Sequence, residues 1–205
     1  MPPKKPIAIE KSRLLLVEGK DEIGFFECML KHLEITNIQI LDVKGKENFK
    51  NEIPLLRKLP GFNIVEKIGI VRDADDNYSA TIKSIRDSLK KSEFVVDDNP
   101  CSFSAGTPNV GFFIMPDNSS NGELEDLCLD AVKNTEVLEC VENNIKCIQV
   151  KKENLKKMAK RKVQIFLASQ DEIVNSLGLG AQKHYWDFES PVYDSLKQFL
   201  KELAD

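Results

Sequence analysis

Three acids in four positions, Asp73, Asp75 and Asp76, close the apolar run that begins at Ile68. A strand that reads as buried does not end on three carboxylates unless something holds them there. At an effective dielectric near 20, two full charges about 4 Å apart repel by roughly 4 kcal/mol, and a divalent cation offsets that repulsion. An earlier stretch, Arg13-Leu-Leu-Leu-Val-Glu-Gly-Lys-Asp-Glu22, has the same form, with Glu18 and Gly19 at the end of an apolar run. Two strands that both stop at acids predict one acidic site. Mg2+ takes octahedral oxygens at about 2.0–2.1 Å, commonly one or two carboxylates with phosphate and water. Two such ions roughly 3.5–4 Å apart clamp the attacking and leaving oxygens of a phosphodiester. The candidate metal ligands are Glu18, Asp73 and Asp75, with Glu125, Glu123 or Asp117 as additions. The competing reading makes these solvated loop acids, with Asp21, Asp76 or Asn77 capping helices and Glu22 a solvated first-turn acid.

The elements that must position these acids follow from periodicity. Leu14 to Val17 is a continuous apolar run, the pattern of a strand covered on both faces. From Asp21 the period turns helical, with Ile23, Phe26, Leu30 and Leu33 in one stripe. Strands are expected over Asn37–Val43 and Val65–Val71. A helix over Lys46–Leu59 is restarted or kinked at Pro54, and another spans Ser79–Lys90. This βαβαβα order specifies a parallel sheet with right-handed crossovers. Such sheets bind ligands beyond the carboxyl ends of their strands, which is where Glu18 and Asp73 fall. Residues 94–103 read as a hairpin or irregular edge, Val110–Met115 as a fourth core strand, and a further helix starts near Gly122. On that helix Glu123 and Glu125 lie about 100° to either side of the apolar stripe. Helices are also expected over 137–148 and from about Pro191 to Leu203.

The chain has 205 residues and a net charge of −4, so any nucleic-acid contact must come from a local basic patch. One such cluster lies in Val150–Ser169: Lys151, Lys152, Lys156, Lys157, Lys160, Arg161 and Lys162. A single helix through it puts Leu155, Met158, Ala159 and Phe166 inward, with Lys162 near the middle of that face. A lysine there must find an anion or snorkel out, so Lys162 is the candidate cation for a transferring phosphate. Gly178-Leu-Gly-Ala181 reads as a flexible break, and Tyr185 and Trp186 as packing for the last helix. His32 and His184 have no partner that suggests a triad. Five cysteines without a CxxC pair read as reduced packing residues of a cytoplasmic protein, and no apolar run approaches membrane-spanning length.

Leu14–Glu22 together with Gly69-Ile-Val-Arg-Asp-Ala-Asp-Asp-Asn77 resembles the Toprim domain, whose signature is a strand ending in Glu-Gly and a later strand ending in Asp-x-Asp. Met115–Asp126 is similar to the corresponding stretch of a compact prokaryotic family with a single Toprim domain, and the OLD-type Toprim nucleases are the closer functional analogy. The resemblance covers about residues 12–135. The glycine that often follows the Asp-x-Asp is absent here, where Asp76-Asn77 stands. The resemblance implies an α/β fold, a Rossmann-like parallel sheet of about four core strands flanked by helices. Its organisation is a mobile tail over 1–11, a Toprim core over 12–135 and a helical extension over 136–205 packed on the core. It also implies Mg2+- or Mn2+-dependent phosphodiester chemistry on DNA or RNA. Glu18 is then a metal ligand or general acid/base, Asp73 and Asp75 metal ligands, Glu125 a second-metal ligand, and Lys162 an electrostatic stabiliser. Any ATPase partner would be a separate chain, and no membrane is involved. The alternative is a non-catalytic module that binds nucleic acid or a partner protein. A nucleotide-sugar transferase reading leaves Glu18-Gly19 unexplained.

Overall fold

The computed structural model describes residues 8–205. Its strands β1 (Arg13–Val17), β2 (Ile38–Asp42), β3 (Lys67–Asp73) and β4 (Asn109–Met115) form one parallel sheet in the order β2-β1-β3-β4. Leu16 sits opposite Leu41 on one side and Ile70 on the other, and Asp73 lies opposite Met115. With that register Glu18, Asp42, Asp73 and the turn at Pro116 all leave the sheet at one carboxyl rim. The expected α/β architecture is therefore present: a Rossmann-like parallel sheet of four core strands, flanked by helices and continued by C-terminal helices.

Strand alternation divides the core in two. Leu15, Val17, Val71, Phe113 and Met115 face α1 (Lys20–His32), α4 (Leu124–Ala131) and the C-terminal helices. Leu14, Leu16, Ile68, Ile70, Val110, Phe112 and Ile114 face α2 (Phe49–Leu55) and α3 (Tyr78–Lys91). Each such side chain contributes about 1.5–3 kcal/mol when fully buried, so together they outweigh the few kcal/mol of repulsion that a crowded acidic rim costs. The C-terminal helices are α5 (Glu136–Lys151), α6 (Met158–Ala168), α7 (Leu177–Gln182) and α8 (Asp194–Ala204). Helix α8 crosses the sheet at Gly69, where a Cβ would stand 2.8 Å from Leu203 Cδ2.

The expected tail is corrected in part, and so is the break expected at Gly178. Of the tail expected over 1–11, residues 1–7 lie outside the described residues, while the end of it is anchored. Ile9 is buried and its N–H donates to Pro60 O at 2.8 Å, and Glu10 N–H donates to Gln39 Oε1 at 2.7 Å. The flexible break at Gly178 is instead the short helix α7, pressed on α1. A Cβ on Gly178 would come within 2.9 Å of Gly24 Cα, so the two glycines permit backbone contact between helices. Residues 101–104 run along β4 as an irregular edge: Cys101 N–H donates to Phe112 O and Ser104 N–H to Val110 O. Trp186 is buried, stacked on Phe166 with its Nε1–H donating to Leu177 O. The five cysteines are free thiols. Among the described residues no helix is long and apolar enough to cross a membrane.

Candidate metal centre at the carboxyl rim

Glu18 and Asp73 meet at the rim. Glu18 Oε1 accepts the Asp73 N–H at 3.3 Å, and Asp73 Oδ1 accepts the Leu124 N–H at 3.0 Å, at the start of α4. The second oxygens, Glu18 Oε2 and Asp73 Oδ2, have no hydrogen-bond partner among the described residues. Loss of hydration pushes the Glu18 carboxyl up to about 7, with Glu22 and Asp75 adding repulsion and Arg72 and the Asp73 N–H opposing it. Burial likewise raises Asp73 well above the usual carboxylate range, reinforced by the charges of Glu18, Glu125 and Glu22. Glu22 and Glu125 are both raised by burial, then by neighbouring acids. Four carboxylates, Glu18, Glu22, Asp73 and Glu125, thus share one pool of charge.

Glu22 belongs to this group, although it reads in the sequence as a solvated acid. The buried residues of α1 are Phe25, Phe26, Met29 and Leu30, and Glu22 stands one turn before Phe25 and Phe26 on that face. Glu125 is brought in by the first turn of α4. Glu123 occupies the N-cap of that helix, its N–H donating to Asp126 Oδ2 at 2.8 Å. Burial raises its pKa, Lys157 opposes this, and Asp75 and Asp126 add to it.

Asp75 is turned aside. Its backbone takes the left-handed φ of 51° and exchanges two hydrogen bonds with Gly122, and its Oδ2 receives Lys46 Nζ at 2.9 Å. Asp117 is not brought into the group. It is exposed in its own loop, where Ser119 and Ser120 each donate a backbone N–H and a hydroxyl to it. Burial pushes its carboxyl up, but those four bonds prevail and leave it below the ordinary value.

Arg72 answers part of the negative charge. Its side chain is 9 % exposed, its Nη1 donates to Ser84 Oγ, and its Nε stands 3.7 Å from Glu18 Oε1 without a hydrogen-bond partner. That separation is an ion pair and too long for a hydrogen bond. An orphaned buried donor costs about 1–3 kcal/mol, which is consistent with a site organised around Glu18 more than around stability. The donor set is all hard oxygen, the kind that suits Mg2+ or Mn2+, and two of those oxygens are free. As placed, no three His, Cys, Asp or Glu side chains among the described residues enclose a point where one ion would sit. The rotamers of Glu18, Asp73 and Asp75 are directed to protein donors instead.

A family model described as "Protein of unknown function (DUF3226)" matches residues 12–205. The chain belongs to the DUF3226 family. Among solved structures it is similar to the C-terminal region of the Xanthomonas campestris pv. campestris OLD protein, at 15% identity and a TM-score of 0.43. That likeness covers 95% of this chain and 94% of the other. No curated protein matches the sequence.

Lys162, the expected cation, is paired with an acid of α5 in this DUF3226 chain. Helix α5 ends at Lys151 and α6 begins at Met158, so Leu155 lies between helices and cannot set the face of α6. The inward residues are Val163, Phe166 and Leu167. Lys162 is placed by that register against α5, its Nζ 2.6 Å from Glu142 Oε1. Lys160, one turn before Val163, is the lysine whose charge reaches Glu22, Glu123 and Glu125.

Proposed function

We propose that the chain performs Mg2+- or Mn2+-dependent phosphodiester chemistry on nucleic acid, as a small nuclease of the Toprim type. The observation that carries this reading is the contact between Glu18 and the backbone of Asp73: acids 55 residues apart, ending neighbouring strands, with Glu22 and Glu125 crowding the same rim. Burying like charges together without a matching set of cations is unfavourable, and perturbed carboxylates at the strand ends of an open parallel sheet support a working site there.

Glu18, Asp73 and Glu125 are the side chains that would hold the cation, with Glu22 beside them. When bound, the cation supplies positive charge against the phosphoryl oxygens. Glu18 serves as ligand or general acid/base, Arg72 steadies its carboxylate, and Lys160 offers charge to the phosphate. Asp75 joins only by releasing Lys46.

Labelled DNA and RNA should be cut by the wild type with Mg2+ or Mn2+, and Asp73→Asn should lose at least two orders of magnitude. Equal cleavage by the variant refutes the mechanism. A second reading, a module that binds nucleic acid or a partner without catalysis, is favoured by the absence of a three-sided acidic enclosure among the described residues. The two are separated by titrating Mn2+ in a calorimeter: the first requires heat that Asp73→Asn abolishes, the second little or none.

A further inference from the structure

Beside the rim a cleft of about 610 Å3 opens between Asp75, Asp76, Gly122, Glu123 and Asp126 on the rim side and Lys156 and Lys157 from the segment leading into α6. Lys46 also lines it but is engaged with Asp75. Lys156 and Lys157 are exposed and, like Lys160, have no carboxylate within ion-pair distance among the described residues. Elsewhere in this part of the chain Lys162 is paired with Glu142, Lys183 with Glu172 and Lys197 with Asp194, while Lys151 and Lys152 are likewise without such a partner but do not line the cleft. The cleft is also bounded by strained backbone. Asp75 and Lys157, on its two sides, hold φ of 51° and 55°, two of the nine non-glycine residues with positive φ among the described residues, a conformation that costs on the order of 1–3 kcal/mol.

We propose that this cleft carries the phosphodiester strand where it runs on from the rim, with Lys156 and Lys157 neutralising phosphates next to the one held at the acids. The inference rests on reading the rim as a phosphodiester site. A strand held there extends past the scissile phosphate, and each further phosphate that enters a cleft bounded by Asp75, Asp76, Glu123 and Asp126 requires a cation to meet it. Ammonium groups without carboxylate partners supply that charge. An acidic peptide would meet the same lysines but brings no phosphate to the rim.

The test is binding of a fluorescent oligonucleotide, followed by anisotropy with Ca2+ in place of Mg2+ across a range of salt. Lys156→Ala/Lys157→Ala should weaken binding roughly 30-fold at 0.1 M salt, and the slope of log K against log salt should become shallower by about 1.5, as expected for two lost phosphate contacts. Alanine reaches a φ of 55° no less easily than lysine, so the variant adds no backbone strain. Lys151→Ala/Lys152→Ala removes the same charge from residues that do not line the cleft and should stay within about threefold of wild type. Equal losses in the two double variants overturn the cleft in favour of general charge attraction. Binding and cleavage untouched by Lys156→Ala/Lys157→Ala overturn the cleft and leave the rim reading standing. Failure of the wild type to bind any oligonucleotide removes both.

Discussion

Replacing Glu18 by glutamine should make the metal-free protein more stable at pH 8. The Glu18 carboxyl has an ordinary value of 4.5 in the unfolded chain and about 7 in the fold, raised first by loss of hydration. Between those values the folded protein keeps a proton that the unfolded chain has released. The stability this provides is fully present below pH 4.5 and is lost as the pH rises through 7. At 1.36 kcal/mol per pH unit the gap corresponds to about 3 kcal/mol. Glutamine mimics the protonated acid at every pH and escapes that loss. For a chain of this size, each kcal/mol moves the melting temperature by about 2–4 °C, so Glu18→Gln should melt roughly 6–12 °C above wild type at pH 8. At pH 4.5 the two should nearly coincide. Adding Mn2+ at pH 8 should close the gap from the other side, since a ligand present at a hundred times its dissociation constant stabilises the fold by about 2.7 kcal/mol. Thermal melts followed by circular dichroism at the two pH values, with EDTA and with Mn2+, test all three points. A variant that melts below wild type at pH 8, by the same margin at pH 4.5, would show that Glu18 is a structural carboxylate and refute the account of the rim.

Lys160→Ala should lower cleavage about tenfold or more while Lys162→Ala leaves it within about twofold, because the charge of Lys160 acts on Glu22, Glu123 and Glu125 whereas Lys162 is paired with Glu142; single-turnover rates on one labelled substrate decide this. Gly178→Ala should lower the melting temperature, although the same change on an open helix face raises stability by up to about 1 kcal/mol. Its Cβ would meet Gly24 Cα at 2.9 Å, and such overpacking costs about 1–3 kcal/mol. A rise in melting temperature would mean that α1 and α7 separate freely.

The strands and the convergence at their ends were legible in the sequence because both depend on continuous apolar runs. Leu14–Val17 and Val110–Met115 admit no other element of their length, and the parallel order then brings Glu18 and Asp73 to one edge. What escaped depends on rotation about helix axes. Reading Ile23 and Leu33 into the stripe of α1 turns Glu22 toward water, whereas burial centred on Phe25, Phe26 and Met29 turns it over the rim. Carrying one helix from Val150 to Ser169 aimed Lys162 inward. The interruption at 152–157 resets the register and gives that part to Lys160. Asp117 stays out of the group for a different reason: residues Ser119 and Ser120 offer it four donors close at hand, and local satisfaction defeats a longer reach. Gly178 of α7 carried no sign that it meets Gly24 far away in the chain.

The irregular stretch along β4 bears on how copies of this molecule meet. Phe112 O and Val110 O already accept hydrogen bonds from Cys101 and Ser104, and the Val110 N–H donates to Ser104 Oγ at 3.0 Å. A foreign strand arriving at that flank finds these main-chain groups taken. Self-association there has to rely on side-chain complementarity, which point substitutions can remove, and not on the sequence-blind adhesion of exposed peptide groups.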